Sequence, residues 1–207
     1  FIKQRTDMLA GVSHDLRTPL TRMKLQVSLM KDNDGKKELE NDINEMTAML
    51  NSYVNFVKGE APETIENINL NNLLNNICQS NNSNKYTITE KYNKKINTSG
   101  RTLQIKRAIQ NIIDNAKRYA SDIHLELDAN LEECYINISD NGPGIPEKNY
   151  EDVFKPFFTL DKSRNKLKGE SGLGMTIARD IIRSHGGEIK LKESEMKGLK
   201  ITIILPL

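Results

Sequence analysis

No stretch of the chain approaches the ~18 consecutive apolar residues that a membrane-crossing helix needs, so none is expected. A basic start followed by an apolar run, the mark of a secretory leader, is missing as well. Cysteine occurs twice, at Cys78 and Cys134, far apart, with no Cys-x-x-Cys and no histidine at metal-ligand spacing. Zinc-centred and disulfide-stapled scaffolds are thereby excluded, and both thiols are expected to stay reduced. Nor does one sign of charge dominate: 30 Lys and Arg face 28 Asp and Glu, a net of +2. The basic residues are interleaved with acids and Asn rather than clustered, so no nucleic-acid partner is expected. What the 207 residues do hold is enough Ile and Leu to build one domain or two small ones. The first residue is Phe1 rather than Met, so the chain is expected to be part of a longer one.

Two stretches carry helical periodicity. Leu39, Ile43, Met46, Leu50, Tyr53 and Val57 alternate steps of four and three, a heptad seam. Leu9, Val12, Leu16, Leu20, Met23, Val27 and Met30 do the same with one slip, between Leu16 and Leu20. Pro19 lies in the slip, offers no N–H to Asp15, and predicts a kink there. Asp32-Asn33-Asp34-Gly35 between the stretches favours a turn, so the two helices should form an antiparallel hairpin. Two helices alone bury too little to be stable, and a homodimeric four-helix bundle is the economical solution.

Polar residues around Pro62 end the heptads and read as a linker. Beyond them the pattern predicts a helix over 70–77, a strand near 86–92 and a strong amphipathic helix over 103–119. Ile123, Leu125 and Leu127, then Cys134, Ile136 and Ile138, alternate with polar residues as half-buried strands do. A Gly/Pro loop, a short helix near Tyr150 and a Lys-rich stretch over 161–170 follow. A helix over 172–184, ended by Gly186-Gly187, and strands over 188–192 and 199–205 complete the chain. The fold class is α+β, with helices on one face of a mostly antiparallel sheet.

Four segments could carry chemistry. A lone histidine on a helix flank, like His14, is ordinarily a solvated side chain. Here Asp15 stands beside it as a possible acid/base, and Thr18 covers the same patch one turn on. An ordinary imidazole, with a pKa of about 6.5, is largely neutral near pH 7 and so is available as a nucleophile. Asn111 and Asn115 share a helix face, as do Asp114 and Arg118; two poor helix formers on one face suit a polar surface or a hard cation such as Mg²⁺. Asp140 through Pro146 makes a glycine-flanked turn directly after a strand, where a carboxylate can accept from an exocyclic amine and a ligand can approach the backbone. Gly172-Leu173-Gly174 runs into a helix, whose first N–H groups favour phosphate. Each alone is weak; their order and spacing together are not.

Together these segments resemble the cytoplasmic core of a bacterial sensor histidine kinase. Gly11 to Arg22 is similar to the family's phosphoacceptor box, 111–119 to its Asn box, 140–146 to its first glycine box, Phe154, Phe157 and Phe158 to its phenylalanine region, and 172–174 to its second glycine box. The resemblance implies a dimerising and phosphotransfer hairpin over 1–58, a linker over 59–66, and an α/β-sandwich ATP-binding domain of the GHKL (Bergerat) type over 67–207. It implies that His14 is phosphorylated from ATP, that Asp15 is the acid/base helper, and that Thr18 positions water when a partner's phosphoaspartate is hydrolysed. Asn111 and Asn115 would hold Mg²⁺ and phosphates, Arg118 would reach a phosphate, and Tyr119 would stack on adenine. Asp140 would bond the adenine amine, Gly142, Gly144 and Ile145 would shape its pocket, and Gly172, Leu173 and Gly174 would bring N–H groups to the phosphates. Residues 161–171 would be the ATP lid.

The implied partners are a second copy of the chain and a response-regulator receiver domain, OmpR-like, with no membrane contact by this part of what would be an inner-membrane sensor. One departure stands out: the family's second glycine box usually reads Gly-x-Gly-Leu-Gly, whereas Glu170-Ser171 precede Gly172 here and Gly169 falls one position early. Glu170 is expected to point to water. Two alternatives remain open on the residues alone. One is an ATPase of the gyrase, Hsp90 or MutL kind, though these carry Glu where Asn111 stands; the other is a docking hairpin without chemistry.

Overall fold

The computed structural model describes residues 18–31, 34–58, 63–81, 87–92, 94–160 and 172–207. The chain divides into two units, Phe1–Pro62 with Phe157–Leu173, and Glu63–Pro156 with Gly174–Leu207.

In the first unit, helix α1 covers the described residues 18–28 and helix α2 runs Asp34–Lys58. Leu20, Val27 and Ile43 are buried together, with Leu50 packed against them, and Lys24 Nζ donates to Asn44 Oδ1 at 3.1 Å across the hairpin. The rest of the described seam is left open by the single hairpin. Met23, Met30, Leu39 and Met46 remain 42–52% exposed, because a helix pair buries only the line where the two cylinders touch. The expected kink at Asp15–Pro19 and the side chains of Tyr53 and Val57 lie outside the described residues.

The second unit is built on a five-stranded sheet ordered β2-β4-β5-β7-β6. Its strands are β2 (Thr87–Tyr92), β4 (Asp122–Ala129), β5 (Glu133–Asp140), β6 (Glu188–Glu193) and β7 (Leu199–Pro206). β2 pairs with β4 in parallel and the other pairs are antiparallel. The register aligns Leu125 with Ile138 and Ile138 with Ile201, then Leu127 with Ile136 and Ile136 with Ile203. One face of the sheet is thus a continuous aliphatic layer, buried throughout.

The helices supply the matching layer. They are α3 (Leu70–Asn81), α4 (Thr102–Tyr119) and α5 (Gly174–Ser184). Ile105, Ile109, Ile112 and Ile113 of α4 are fully buried, and each fully buried side chain of this kind contributes about 1.5–3 kcal/mol. His124, on the opposite face of β4, is exposed as its alternation predicts.

Three elements differ from the sequence-based expectation. A two-stranded ribbon, β1 (Glu66–Asn69) with β3 (Asn97–Gly100), appears where no strand is predicted, and β1 starts within the segment read as linker. Apart from Ile68 and Thr98, both strands lack the β-branched and aromatic residues that favour strands, and they are held by a distant partner: Thr98 is buried and its Oγ1 donates to the Pro206 carbonyl at 2.6 Å. The short helix near Tyr150 is two 3₁₀ turns, Glu147–Asn149 and Asp152–Phe154. Helix α5 begins at Gly174 rather than 172, because Gly172 is left-handed, with φ +61°. Its other end is as expected: Gly186 has φ +75°, Gly186 N–H bonds Arg183 O at 3.0 Å and Gly187 N–H bonds Ile182 O at 3.0 Å, a Schellman termination.

Candidate nucleotide site

Asp140 is the last residue of β5, 7% exposed. Its Oδ1 accepts the Gly142 N–H at 2.8 Å and the Leu199 N–H at 3.2 Å. Both bonds fall on one oxygen, Oδ1, and not on Oδ2. Burial raises the carboxyl from its ordinary value, and the two N–H donors only partly offset that.

The loop after Asp140 is fastened to the end of α4. Asn141 Oδ1 accepts from the backbone N–H groups of Ser121 and Asp122 at 3.0 and 3.1 Å, and its Nδ2 donates to Asp122 Oδ2 at 2.8 Å. A Cβ on Gly142 would stand 2.9 Å from Asp140 Oδ1 and 3.2 Å from the Tyr119 carbonyl oxygen, so only glycine fits against both. Gly144 is left-handed at φ +68°. Ile145 is half-buried beside it, and Tyr119 is 44% exposed at the last position of α4. The Asn box and the first glycine box therefore meet at one corner of the sheet.

The second meeting is between α4 and α5. A Cβ on Gly174 would lie 3.8 Å from Asn111 Cβ, so the first residue of α5 stands over the Asn111 face. Asn111 Nδ2 is buried with no hydrogen-bond partner, and a buried donor left unmade costs about 1–3 kcal/mol. Asn115 is half-buried and Arg118 exposed along the same helix. Asp114 engages another side of α4: its Oδ1 accepts from Gln110 Nε2 at 2.8 Å and lies 3.9 Å from Lys117 Nζ. Lys117 Nζ also bonds Asn81 Oδ1.

Among the described residues no group of three or more His, Cys, Asp or Glu is placed to hold a metal ion. A hard cation bound through amide oxygens and substrate phosphates suits what Asn111 and Asn115 offer. Within the first unit, Phe157 is left-handed at φ 63° and its N–H bonds Gly172 O at 3.0 Å. A Cβ on Gly172 would come within 2.8 Å of Phe157 Cα, so this position too requires glycine. Leu173 is fully buried and Thr18 is exposed. His14, Asp15 and residues 161–171 lie outside the described residues.

Two contributors escape a reading of the sequence. Gly198, in the turn between β6 and β7, has no room for a side chain: a Cβ there would collide with the Asp140 carboxylate and carbonyl and lie 2.6 Å from the Gly142 N. A lone glycine in a hairpin turn was its only signal. His185, at the end of α5, shares a short bond of 2.7 Å between Nδ1 and Ile181 O, and its Nε2 accepts the Arg101 N–H at 3.1 Å. It stands at the end of α5 and joins that helix to the start of α4.

Residues 100–207 match the model of the histidine kinase-, DNA gyrase B- and HSP90-like ATPases. The chain belongs to that ATPase family. Residues 4–62 match the His Kinase A phosphoacceptor domain, and the two matches in this order make the chain a bacterial sensor histidine kinase core. It is 32% identical over its whole length to sensor histidine kinase GtrS of Pseudomonas aeruginosa, covering 43% of that protein. It is 29% identical over 97% of its length to sensor histidine kinase CpxA of Escherichia coli K12, covering 46%. The chain thus spans less than half of these relatives. In fold it is similar to full-length ShkA in complex with AMPPNP, with a TM-score of 0.73 over 97% of this chain and 45% of ShkA at 16% identity. The mycobacterial sensor histidine kinase MprB matches 69% of this kinase core and 97% of its own chain, with a TM-score of 0.58 at 22% identity. Among the described residues of the core, no helix is long and apolar enough to cross a membrane.

Proposed function

We propose that this core is an ATP-dependent protein-histidine kinase of a two-component system, acting as a homodimer on the cytoplasmic side of a membrane-anchored sensor. Residues 1–58 form the dimerising hairpin that carries His14, 59–66 the linker, and 67–207 the ATP-binding domain. The seam methionines left exposed on the lone hairpin are what a second hairpin would cover. The observation that carries the nucleotide reading is the meeting of Gly174 with Asn111, whose buried Nδ2 has no partner. An unsatisfied donor beneath a helix N-terminus is placed for an anion.

In this reading Asp140 Oδ2 accepts the adenine amine, Gly142, Gly144 and Ile145 shape the pocket and Tyr119 stacks on the base. Arg118 reaches a phosphate, while Gly172, Leu173 and Gly174 offer backbone N–H groups to the others. Asn111 and Asn115 would hold Mg²⁺, which would supply positive charge to offset that of the phosphates. A ring nitrogen of His14 forms a P–N bond to the γ-phosphorus as the bridging P–O bond breaks and ADP leaves, and Asp15 takes the ring proton. Positioning and charge neutralisation carry most of the rate, as in phosphoryl transfer generally. The phosphoryl group then passes to an aspartate of a receiver domain, OmpR-like in type, and Thr18 positions water when the same hairpin hydrolyses that phosphoaspartate.

Incubation with γ-³²P-ATP tests the assignment. An acid-labile label on the wild type, absent from His14→Ala, is the expected result. Phosphate release without label makes the chain an ATPase of the gyrase kind, and neither label nor release leaves only a docking hairpin; both outcomes overturn the kinase reading.

A further inference from the structure

Two side chains of α5 reach back to the 3₁₀ turn Asp152–Phe154. Thr176 Oγ1 donates to the Phe154 carbonyl oxygen at 2.9 Å, and Arg179 Nη2 approaches the same oxygen at 3.5 Å. The Arg179 guanidinium lies over the Phe154 ring, 4.4 Å from its centroid, and Nη1 meets Glu151 Oε2 at 3.2 Å. Thr176 and Arg179 are three residues apart and so share a helix face. Phe154 is 2% exposed, so its ring and carbonyl are met in a largely dry setting, where a cation over a ring is strengthened. The Glu151 carboxylate is 87% exposed, and an ion pair that open to water contributes little.

The rest of α5 is held by apolar burial of Met175, Ile177, Ala178 and Ile182. Such packing is non-directional and tolerates small rotations of an 11-residue helix. The hydrogen bonds and ring contact of Thr176 and Arg179 are directional and do not. Arg179 lies five positions on from Gly174, about 7.5 Å along the axis at 1.5 Å per residue. A turn of the helix about its axis would therefore swing the Gly174 end off the Asn111 face.

We propose that Arg179 is a positioning residue for nucleotide binding: by gripping the Phe154 ring and carbonyl it sets the rotation of α5, and with it the aim of that helix's first N–H groups at the phosphates. The proposal rests on the nucleotide reading given above. It makes Arg179 matter for ATP affinity although it touches no nucleotide.

The test uses the full chain with Arg179→Met, which keeps an apolar stem without charge or donors, and Arg179→Lys, which restores the cation. Kd and KM for ATP, kcat of autophosphorylation and Tm are measured for each. Arg179→Met is expected to raise Kd and KM about fivefold with kcat within about twofold of wild type, and Lys to recover most of the affinity. If Arg179→Met does not fold, Thr176→Val, which deletes the second bond to the Phe154 carbonyl, is scored by the same criteria. Unchanged KM, a loss confined to kcat, or a Lys variant no better than Met overturns the positioning role. Wild type that takes up no ATP overturns the nucleotide reading itself, which is a distinct result.

Discussion

Glu63 caps helix α4 from 40 residues away, its Oε1 accepting the Leu103 N–H at 2.6 Å. Its Oε2 accepts the Gln104 N–H at 3.3 Å, while the local N-cap residue, Arg101, supplies no side-chain bond. The carboxylate both satisfies orphan donors and faces the positive end of the helix dipole. Glu63→Ala should lower stability by about 0.5–2 kcal/mol, seen as a lower urea midpoint with unchanged slope. An unchanged midpoint would mean that water serves these two N–H groups equally well.

Asp140→Asn separates binding from folding. The amide oxygen can still accept the Gly142 and Leu199 N–H groups, but the second oxygen is gone, so affinity for adenine nucleotides should fall at least tenfold by titration. Because burial raises the native pKa of Asp140, the ionised form disfavours the native state at neutral pH. That penalty disappears as pH drops through the native value. The variant should therefore match or exceed wild-type Tm at pH 7, with the gap closing as the solution is acidified. A Tm deficit at pH 7 would contradict this.

Asn111 bears a buried amide nitrogen without a partner. Truncating it to Ala should leave Tm within a few degrees of wild type, since an unsatisfied donor is removed along with the packing. Autophosphorylation should be abolished. A large Tm loss would show that the side chain serves the core instead.

Gly198→Ala forces a methyl group between the Asp140 carboxylate and the Gly142 backbone. Overpacking of this kind costs about 1–3 kcal/mol, and here it displaces Asp140, the proposed adenine acceptor, as well. Calorimetry should show a lower Tm and titration a loss of nucleotide affinity.

How much of this was legible in the sequence follows from the range of each signal. The alternation of Ile123, Leu125 and Leu127 and the apolar stripe of α4 are local, and their elements appear where the periodicity puts them. The ribbon β1–β3 is held together by pairing across some 30 residues, Ile68 with Thr98 for instance, and nothing in Glu-Asn-Ile-Asn hints at it. The start of α5 is two residues late because the conformation of Gly172 answers to Phe157. Within the site, Asp140, Asn111 and the two glycine boxes carry recognisable residue types. Glu63, Gly198 and Arg179 do not, since each matters only through a partner far along the chain.

The sheet order has a consequence for how the sheet comes to be finished. Its final strand, β7, lies between β5 and β6 rather than at a border. During synthesis the earlier strands therefore wait with a gap in their midst until the eight residues of β7 have left the ribosome. Breaking β7 would remove a central plank instead of a fringe, so disrupting Leu199–Pro206 should be far more damaging than disrupting the border strand β6.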